Sequence, residues 1–238
     1  MTTVDPDDVG TWPAPLREAL ALEVVDVDPV TPVCDLQLRL SDEDVTTLLE
    51  GRPLRAYHCT RLLPHEVQSI RHDGLRALGP EHVERRIEDA FVAGAITDAD
   101  AELLRKQHVF ATGDECEREG QVCACVGLIA FSDHEADGVW PLLSWWGGEA
   151  IYVYASKEGR EHLRTLGSPS IVVVDLPLGG VTWDVWPGLA QVLAGTLAGL
   201  PEGGGDILYG ASVPASAVAA VWHPGASEYD RFPALPRS

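Results

Sequence analysis

The sequence predicts an α+β domain in which strands and helices are segregated instead of alternating regularly. The apolar runs at residues 54–59 and 171–176 are typical of buried strands. The charged, amphipathic patterns at residues 80–93 and 98–108 predict two helices that are separated at Gly94. Strand patterns dominate the centre of the chain, and the helices between them lack βαβ regularity, which favours α+β over a doubly wound fold.

Residues 1–50 are expected to form a lead-in to the main domain. Its predicted elements are a tail at 1–13, a short helix at 15–21, a strand at 34–40 and a helix at 42–50. The strand is predicted because apolar and polar side chains alternate along it. The last helix is predicted because Ser41 is a typical N-cap and acidic residues follow in the first turn.

Residues 51–224 are expected to form the main domain, and a Pro-rich tail follows at 225–238. The predicted strands lie at 54–59, 121–131, 171–176, 206–209 and 218–222. The predicted helices lie from Pro64 to a terminator at Gly74 and at 80–93, 98–108, 148–155 and 187–200, with a strand at 151–154 as the alternative within the fourth of these. The two charged helices are expected to form a helical insertion at about residues 80–110, on the surface of the sheet domain.

The composition excludes several classes of protein. The formal net charge of −20 repels phosphate backbones, so nucleic acid is not an expected partner. No apolar run is long enough to span a membrane, and the acidic N-terminus lacks the basic and apolar regions of a secretory signal. Five cysteines in a chain without such a signal favour reduced thiols. We therefore expect a cytoplasmic protein.

Three places in the sequence carry candidate side chains for chemistry, and each also has an ordinary structural interpretation. His58 and Thr60 are two apart at the end of a strand, so both face one side, ahead of a helix that begins at Pro64. Glu149 lies in an aromatic and Gly-rich setting that would raise the pKa of a buried carboxyl group. Asp206 follows three glycines directly before a strand. A core histidine, a helix N-terminal acid and a turn aspartate are the structural alternatives.

A metal site is not predicted. His65 and His72 share a helix but lie two turns apart, about 10 Å, which is too far for one ion. The sequence also lacks the Rossmann, Walker A, nucleophile-elbow and HExxH motifs.

The order of these segments resembles the ADP-ribosyltransferase-like fold of poly(ADP-ribose) polymerases, diphthamide-modifying toxins and tRNA 2′-phosphotransferases. The family's H-x-T strand and "I…GL" helix are similar to His58-Cys59-Thr60, Ile70 and Gly74-Leu75. A second motif, G-x-x-Y-F-A/S, is similar to residues 127–132, and the closing strands are similar to 206–209 and 213–218. The resemblance covers about residues 55–222 and implies a split, mostly antiparallel sheet with peripheral helices.

The resemblance also implies NAD as the substrate that supplies ADP-ribose, with an unknown protein or small molecule as the acceptor. It implies that His58 contacts the ribose, that the backbone of Cys59 holds the nicotinamide amide, and that Thr60 supports the strand end or a hydroxyl group. The remaining NAD-binding residues expected are Arg61, Phe131, Ser132, Trp146 and Tyr152, the last two as aromatic stacking partners.

The carboxylate is the point at which the chain departs from the family. The family's transferases use a Glu where this sequence has Asp206, which is one methylene shorter. Either Asp206 works, or Glu149 supplies the carboxylate, or the domain binds without catalysis. The arginines at 52, 55, 61 and 71 also leave open a 2′-phosphotransferase activity, and the Trp-rich segment 140–146 leaves open an interaction module.

Overall fold

A computed structural model of the chain describes residues 2–113, 116–131, 138–200 and 204–237. Within these ranges the chain forms a six-stranded open sheet surrounded by helices. The strands are β1 Leu54–Leu62, β2 Val122–Val126, β3 Ser168–Leu176, β4 Trp183–Trp186, β5 Gly205–Tyr209 and β6 Val218–Trp222. Their order is β4-β5-β2-β1-β3-β6, and all neighbouring strands are antiparallel. The predicted combination of helices with an antiparallel sheet is confirmed.

The helices lie on both sides of the sheet and at one end of it. They are α1 Ala14–Glu23, α2 Asp42–Leu48, α3 Pro64–Asp73, α4 Pro80–Val92, α5 Asp98–Lys106, α6 Val109–Thr112, α7 Trp140–Ser144, α8 Glu149–Tyr152, α9 Lys157–Leu163, α10 Leu189–Ala198 and α11 Ser227–Asp230. No helix in the described ranges has the length and apolar character needed to cross a bilayer.

The two faces of the sheet have separate apolar cores because side chains alternate along each strand. One face packs against α1, α2 and α10 and contains Ala56 and Val172. The other contains Tyr57 and Val173 and is covered by the turn Leu128–Phe131, by α7 and by α11. A third core joins α4 and α5 to α8 and α9. The helical segment predicted at about 80–110 therefore has a core of its own with the 146–166 region.

Both ends of the chain pack against the sheet domain. Val4 is fully buried and pairs with Leu54, although residues 1–13 were expected to be a tail. At the other end Tyr229 is buried in α11, and its hydroxyl donates to the carbonyl of Pro236 at 2.7 Å. The predicted boundaries at 51 and 224 therefore do not separate independent cores.

Two strand predictions were wrong in their extent or type. Residues 34–40 do not form a strand, because the Gln191 amide of α10 donates to the carbonyls of Cys34 at 3.1 Å and Leu36 at 2.9 Å. The strand predicted at 121–131 ends at Val126, and a short 3-10 turn over Leu128–Phe131 follows, with the Leu128 N–H bound by the Asp7 carboxylate at 2.8 Å. The edge strand β4 was not predicted.

Candidate functional site

The candidate site lies where β1 and β2 diverge. In the described residues the two strands are in register through the pair Tyr57–Cys125. One residue further along β1, the imidazole of His58 reaches across, with Nδ1 at 2.7 Å from the carbonyl oxygen of Cys123. A side chain thus replaces the backbone hydrogen bonds that would continue the β1–β2 ladder, and the gap opens into a cavity.

This contact determines the tautomer of His58. A carbonyl oxygen only accepts, so Nδ1 carries the hydrogen, and Nε2 of the neutral ring keeps its lone pair. Burial lowers the pKa of His58 below its usual value, and the nearby Arg86 acts in the same direction, whereas the Cys123 carbonyl opposes them. At neutral pH the ring is therefore uncharged, and Nε2 is a hydrogen-bond acceptor or a base.

The cavity next to His58, here called the β1–α3 cavity, has a volume of about 730 Å³. Its walls come from the end of β1, from α3 and α4, and from segments 116–123 and 147–154. Cys59 and Thr60 also line it, so the three consecutive residues of the predicted H-x-T motif share one cavity. The volume is in the range of small-molecule sites, about 300–1,000 Å³.

Glu149 lines the same cavity from the first turn of α8. Its carboxylate forms an ion pair with Arg118, and both side chains are nearly half exposed. An ion pair this accessible contributes little to folding, so the carboxylate can be released to a ligand at small cost. Cys123 lines the cavity too, and burial raises the pKa of its thiol to about 11. The thiol is therefore protonated at neutral pH and is not a nucleophile.

The β1–α3 cavity concentrates arginines in a strongly acidic protein. Arg76, Arg85, Arg86 and Arg118 all line it. Arg86 pairs with Glu66 at 2.5 Å and lies over the ring of Trp146 at 4.9 Å. Arg76 and Arg85 make no ion pair with any residue that the structure describes. Five acidic residues line the cavity as well, so it is mixed in charge, and Arg76 and Arg85 are the two of its arginines that form no ion pair with a described residue.

His82 of α4 adds a neutral polar group to this wall. Burial, followed by the charges of Arg86 and Arg76, lowers the pKa of His82 to about 4. Like His58, it is uncharged at neutral pH.

Arg61, which was expected to bind NAD, lies away from the β1–α3 cavity. It is 2% exposed, and its guanidinium donates to the carbonyls of Leu166 at 2.8 Å and Gly167 at 2.7 Å. The side chain therefore ties β1 to the turn that leads into β3. Its direction follows from strand alternation, which sends Arg61 to the opposite face from Thr60.

The expected aromatic residues are also used elsewhere. Trp146 is fully buried, and its Nε1 donates to Glu66 at 2.9 Å. Tyr152 stacks on Trp145 with 5.0 Å between ring centroids, and Phe131 is buried against Tyr57 at 5.5 Å. Ser132 lies outside the described residues. Among the described residues, the Phe, Trp or Tyr side chain that lines the cavity is Tyr154, which was not one of the predicted binding residues and lies two residues beyond the end of α8.

Asp206 lies on the other face of the sheet from His58. It is paired with Cys125, whose Sγ is 3.7 Å from the Asp206 Oδ1, and Cys125 is in turn paired with Tyr57. Residues paired across strands point to the same face, and Tyr57 and His58 point to opposite faces. Asp206 is exposed and does not line the β1–α3 cavity. Of the two candidate carboxylates, the structure brings Glu149 together with His58.

The arginines on which the 2′-phosphotransferase alternative depended lie elsewhere. Arg55 pairs with Asp175 at 3.0 Å, Arg52 pairs with Glu50 at 3.4 Å, and neither they nor Arg61 and Arg71 line the cavity. Sequence reasoning noted Arg76 and Arg85 only as part of the basic stretch at residues 52–86 and missed Arg118, because nothing in their spacing shows that α4 and the 116–121 turn fold over the end of β1.

Comparisons with protein-family models, with curated proteins and with solved structures find no match to this chain. The functional proposal therefore depends on the cavity and on the residues that line it.

Proposed function

We propose that this chain is an ADP-ribosyltransferase-like enzyme. It binds NAD in the β1–α3 cavity, cleaves the bond between nicotinamide and ribose, and transfers ADP-ribose to an acceptor. The observation that carries the proposal is that His58, with its tautomer set by the Cys123 carbonyl, shares one cavity with the Glu149 carboxylate.

The packing of the other motif segments supports the same proposal. The Gly74-Leu75 segment at the end of α3 lies against the Val213-Pro214 segment, with Leu75 and Val213 joined by backbone hydrogen bonds of 2.9 and 2.8 Å. These two segments carry the helix motif and the closing motif of the resemblance, and they are more than a hundred residues apart in the chain. The Gly74-Leu75 segment lines the same cavity as His58, and the Val213-Pro214 segment packs behind it.

The residues present suit the groups of NAD. Nε2 of His58 accepts a hydrogen bond from a ribose hydroxyl, because the lone pair is free and the ring is neutral. The uncommitted guanidinium groups of Arg76 and Arg85 complement the charge of the diphosphate. The phenol ring of Tyr154 is the aromatic surface available to a ring of the ligand.

The reaction follows from these placements. The C1′–N bond breaks, and its electron pair neutralises the positively charged pyridinium nitrogen of nicotinamide. Positive charge develops on the ribose, and the carboxylate of Glu149 stabilises it more than it stabilises the ground state. The acceptor then forms a bond to C1′ and gives its proton to Glu149.

The test combines binding with turnover. Calorimetric titration with NAD and chromatographic detection of nicotinamide are measured for the wild type and for His58→Ala, Glu149→Gln and Asp206→Asn. We expect Glu149→Gln to lower the rate of nicotinamide release by about 100-fold or more, and Asp206→Asn to leave it close to the wild-type rate.

Three outcomes would contradict the proposal. If NAD does not bind, the cavity is not an NAD site. If NAD binds and no nicotinamide is released, the chain is a binding module of this fold. If Asp206→Asn abolishes release and Glu149→Gln does not, the catalytic carboxylate lies on the other face of the sheet.

A further inference from the structure

Gln121 lies in the wall of the β1–α3 cavity, one residue before β2. Its backbone is held in place from two sides. The N–H donates to the carbonyl of Arg118 at 3.2 Å, and the carbonyl accepts from the N–H of Leu78 at 2.8 Å. The point from which the side chain extends is therefore set by the fold before any ligand binds.

The side-chain amide of Gln121 is not satisfied by the protein. Its Oε1 is buried and has no hydrogen-bond partner in the part of the chain that the structure describes. Buried polar groups are nearly always hydrogen-bonded, and an exception that lines a cavity indicates a missing partner inside that cavity. The amide presents one acceptor beside one donor group in either orientation, so the inference does not depend on which atom is oxygen.

Two carboxylates of the cavity wall differ from Gln121 in this respect. Glu149 is paired with Arg118, and Glu66 is paired with Arg86. The Nε2 of His65 on α3 is the other buried wall atom without a partner among the described residues. Because Gln121 is neutral, it selects the pattern of donors and acceptors on a ligand and not its charge.

We propose that Gln121 is a specificity-determining residue that binds a ligand group in which a hydrogen-bond donor lies beside an acceptor. The inference rests on the proposed function, since it assigns a recognition role within the same cavity. NAD contains two such groups, the carboxamide of nicotinamide and the amino-N7 edge of adenine, which glutamine binds through two hydrogen bonds. The carboxamide and the adenine edge share this chemistry, and binding of fragments of NAD that carry only one of them distinguishes the two.

The experiment compares Gln121→Leu with the wild type by calorimetric titration with NAD, ADP-ribose and nicotinamide mononucleotide. ADP-ribose carries only the adenine edge, and nicotinamide mononucleotide carries only the carboxamide. We expect the Kd of NAD and of one of the two fragments to rise by about tenfold or more, equivalent to about 1.4 kcal/mol, while the other fragment binds unchanged. Gln68→Leu is the matched control, because Gln68 lies exposed on α3 and does not line the cavity.

A purely structural role of Gln121 gives a different result. Removing an unsatisfied buried amide leaves the Tm of the ligand-free protein unchanged or raises it, whereas removing a structural amide lowers it. The inference is overturned if Gln121→Leu lowers the Tm and reduces the affinity for both fragments alike. It is also overturned if the variant binds both fragments with the affinity of the wild type.

The inference and the proposed function fail in distinguishable ways. A wild-type protein that binds the fragments but releases no nicotinamide refutes the proposed reaction, and the fragment titration still decides the role of Gln121. A wild-type protein that binds neither NAD nor any fragment refutes both.

Discussion

The strongest structural prediction concerns Arg61, because the fold assigns it a different role from the one expected from sequence. Arg61→Met keeps an unbranched apolar stem that reaches about as far as the Nε of arginine but removes the guanidinium. The carbonyls of Leu166 and Gly167 then lose donors at 2.8 and 2.7 Å, in a place where the residue is 2% exposed. Burial lowers the pKa of Arg61, yet an arginine in a protein stays charged at neutral pH.

The expected loss is large. A hydrogen bond from a charged donor contributes about 1.5–3 kcal/mol, so two of them amount to about 3–6 kcal/mol. A third contact, to the Leu143 carbonyl at 3.4 Å, is long and adds little. Against a typical stability of about 5–15 kcal/mol, this is a substantial fraction of the free energy of unfolding.

The assay is urea unfolding followed by tryptophan fluorescence, with NAD affinity measured on the same samples. Arg17→Met is the control, because Arg17 is exposed on α1, and its cost should be within about 0.5 kcal/mol. If Arg61→Met does not fold, Arg61→Lys serves instead, since one ammonium group replaces the guanidinium fork only in part. A variant with wild-type stability and lost NAD affinity would refute the structural role and restore Arg61 as a ligand residue.

Two further predictions test the packing of the cavity walls. Because burial and the charges of Arg86 and Arg76 lower the pKa of His82 to about 4, the unfolded chain binds this proton more tightly. Protonation of His82 therefore favours the unfolded chain. The contribution of neutral His82 to the free energy of unfolding is complete above about pH 6.5 and is lost as the pH falls towards 4, by up to about 1.4 kcal/mol per pH unit. Urea unfolding should show a smaller difference in the free energy of unfolding between pH 5 and pH 7 for His82→Asn than for the wild type. An equal difference in the two proteins would contradict the lowered pKa of His82. Gly74→Ala places a Cβ 1.9 Å from the Val213 carbonyl at a φ of 87°, whereas Gly94→Ala meets open space at a φ of 70°. Gly94→Ala should lower the free energy of unfolding by about 1–2 kcal/mol. Gly74→Ala should lower it by at least about 2 kcal/mol more, because the Leu75–Val213 hydrogen bonds are also lost. Equal losses for the two variants would show that the close contact between the new Cβ and the Val213 carbonyl is easily relieved.

The elements that were predicted well are those whose signals are local. Ser41 caps α2 as expected, and Asp44 completes a capping box by accepting from the Ser41 N–H at 3.0 Å. Helix α3 begins at Pro64 and ends before Gly74, and β6 has the predicted bounds. Each of these depends on side chains within a few residues of one another, so the chain carries the information locally.

The elements that were missed depend on partners far away in the chain. β4 is only four residues long and is a strand because β5 lies beside it. The 34–40 segment alternates like a strand, but α10 supplies its hydrogen bonds instead. Local patterns cannot distinguish these cases, because the deciding neighbour is more than twenty residues away in the first and about 150 in the second.

The same division applies to the site. The sequence by itself determined that His58 and Thr60 share a face of one strand, and that this strand leads directly into a helix, although β1 continues to Leu62 and not only to residue 59. Only the tertiary structure decided which carboxylate accompanies them, because strand register places Asp206 beside Cys125 on the opposite face, whereas the fold of α8 brings Glu149 to the cavity. Alternation along a strand is a property of the backbone, but the pairing of one strand with another is a property of the whole chain.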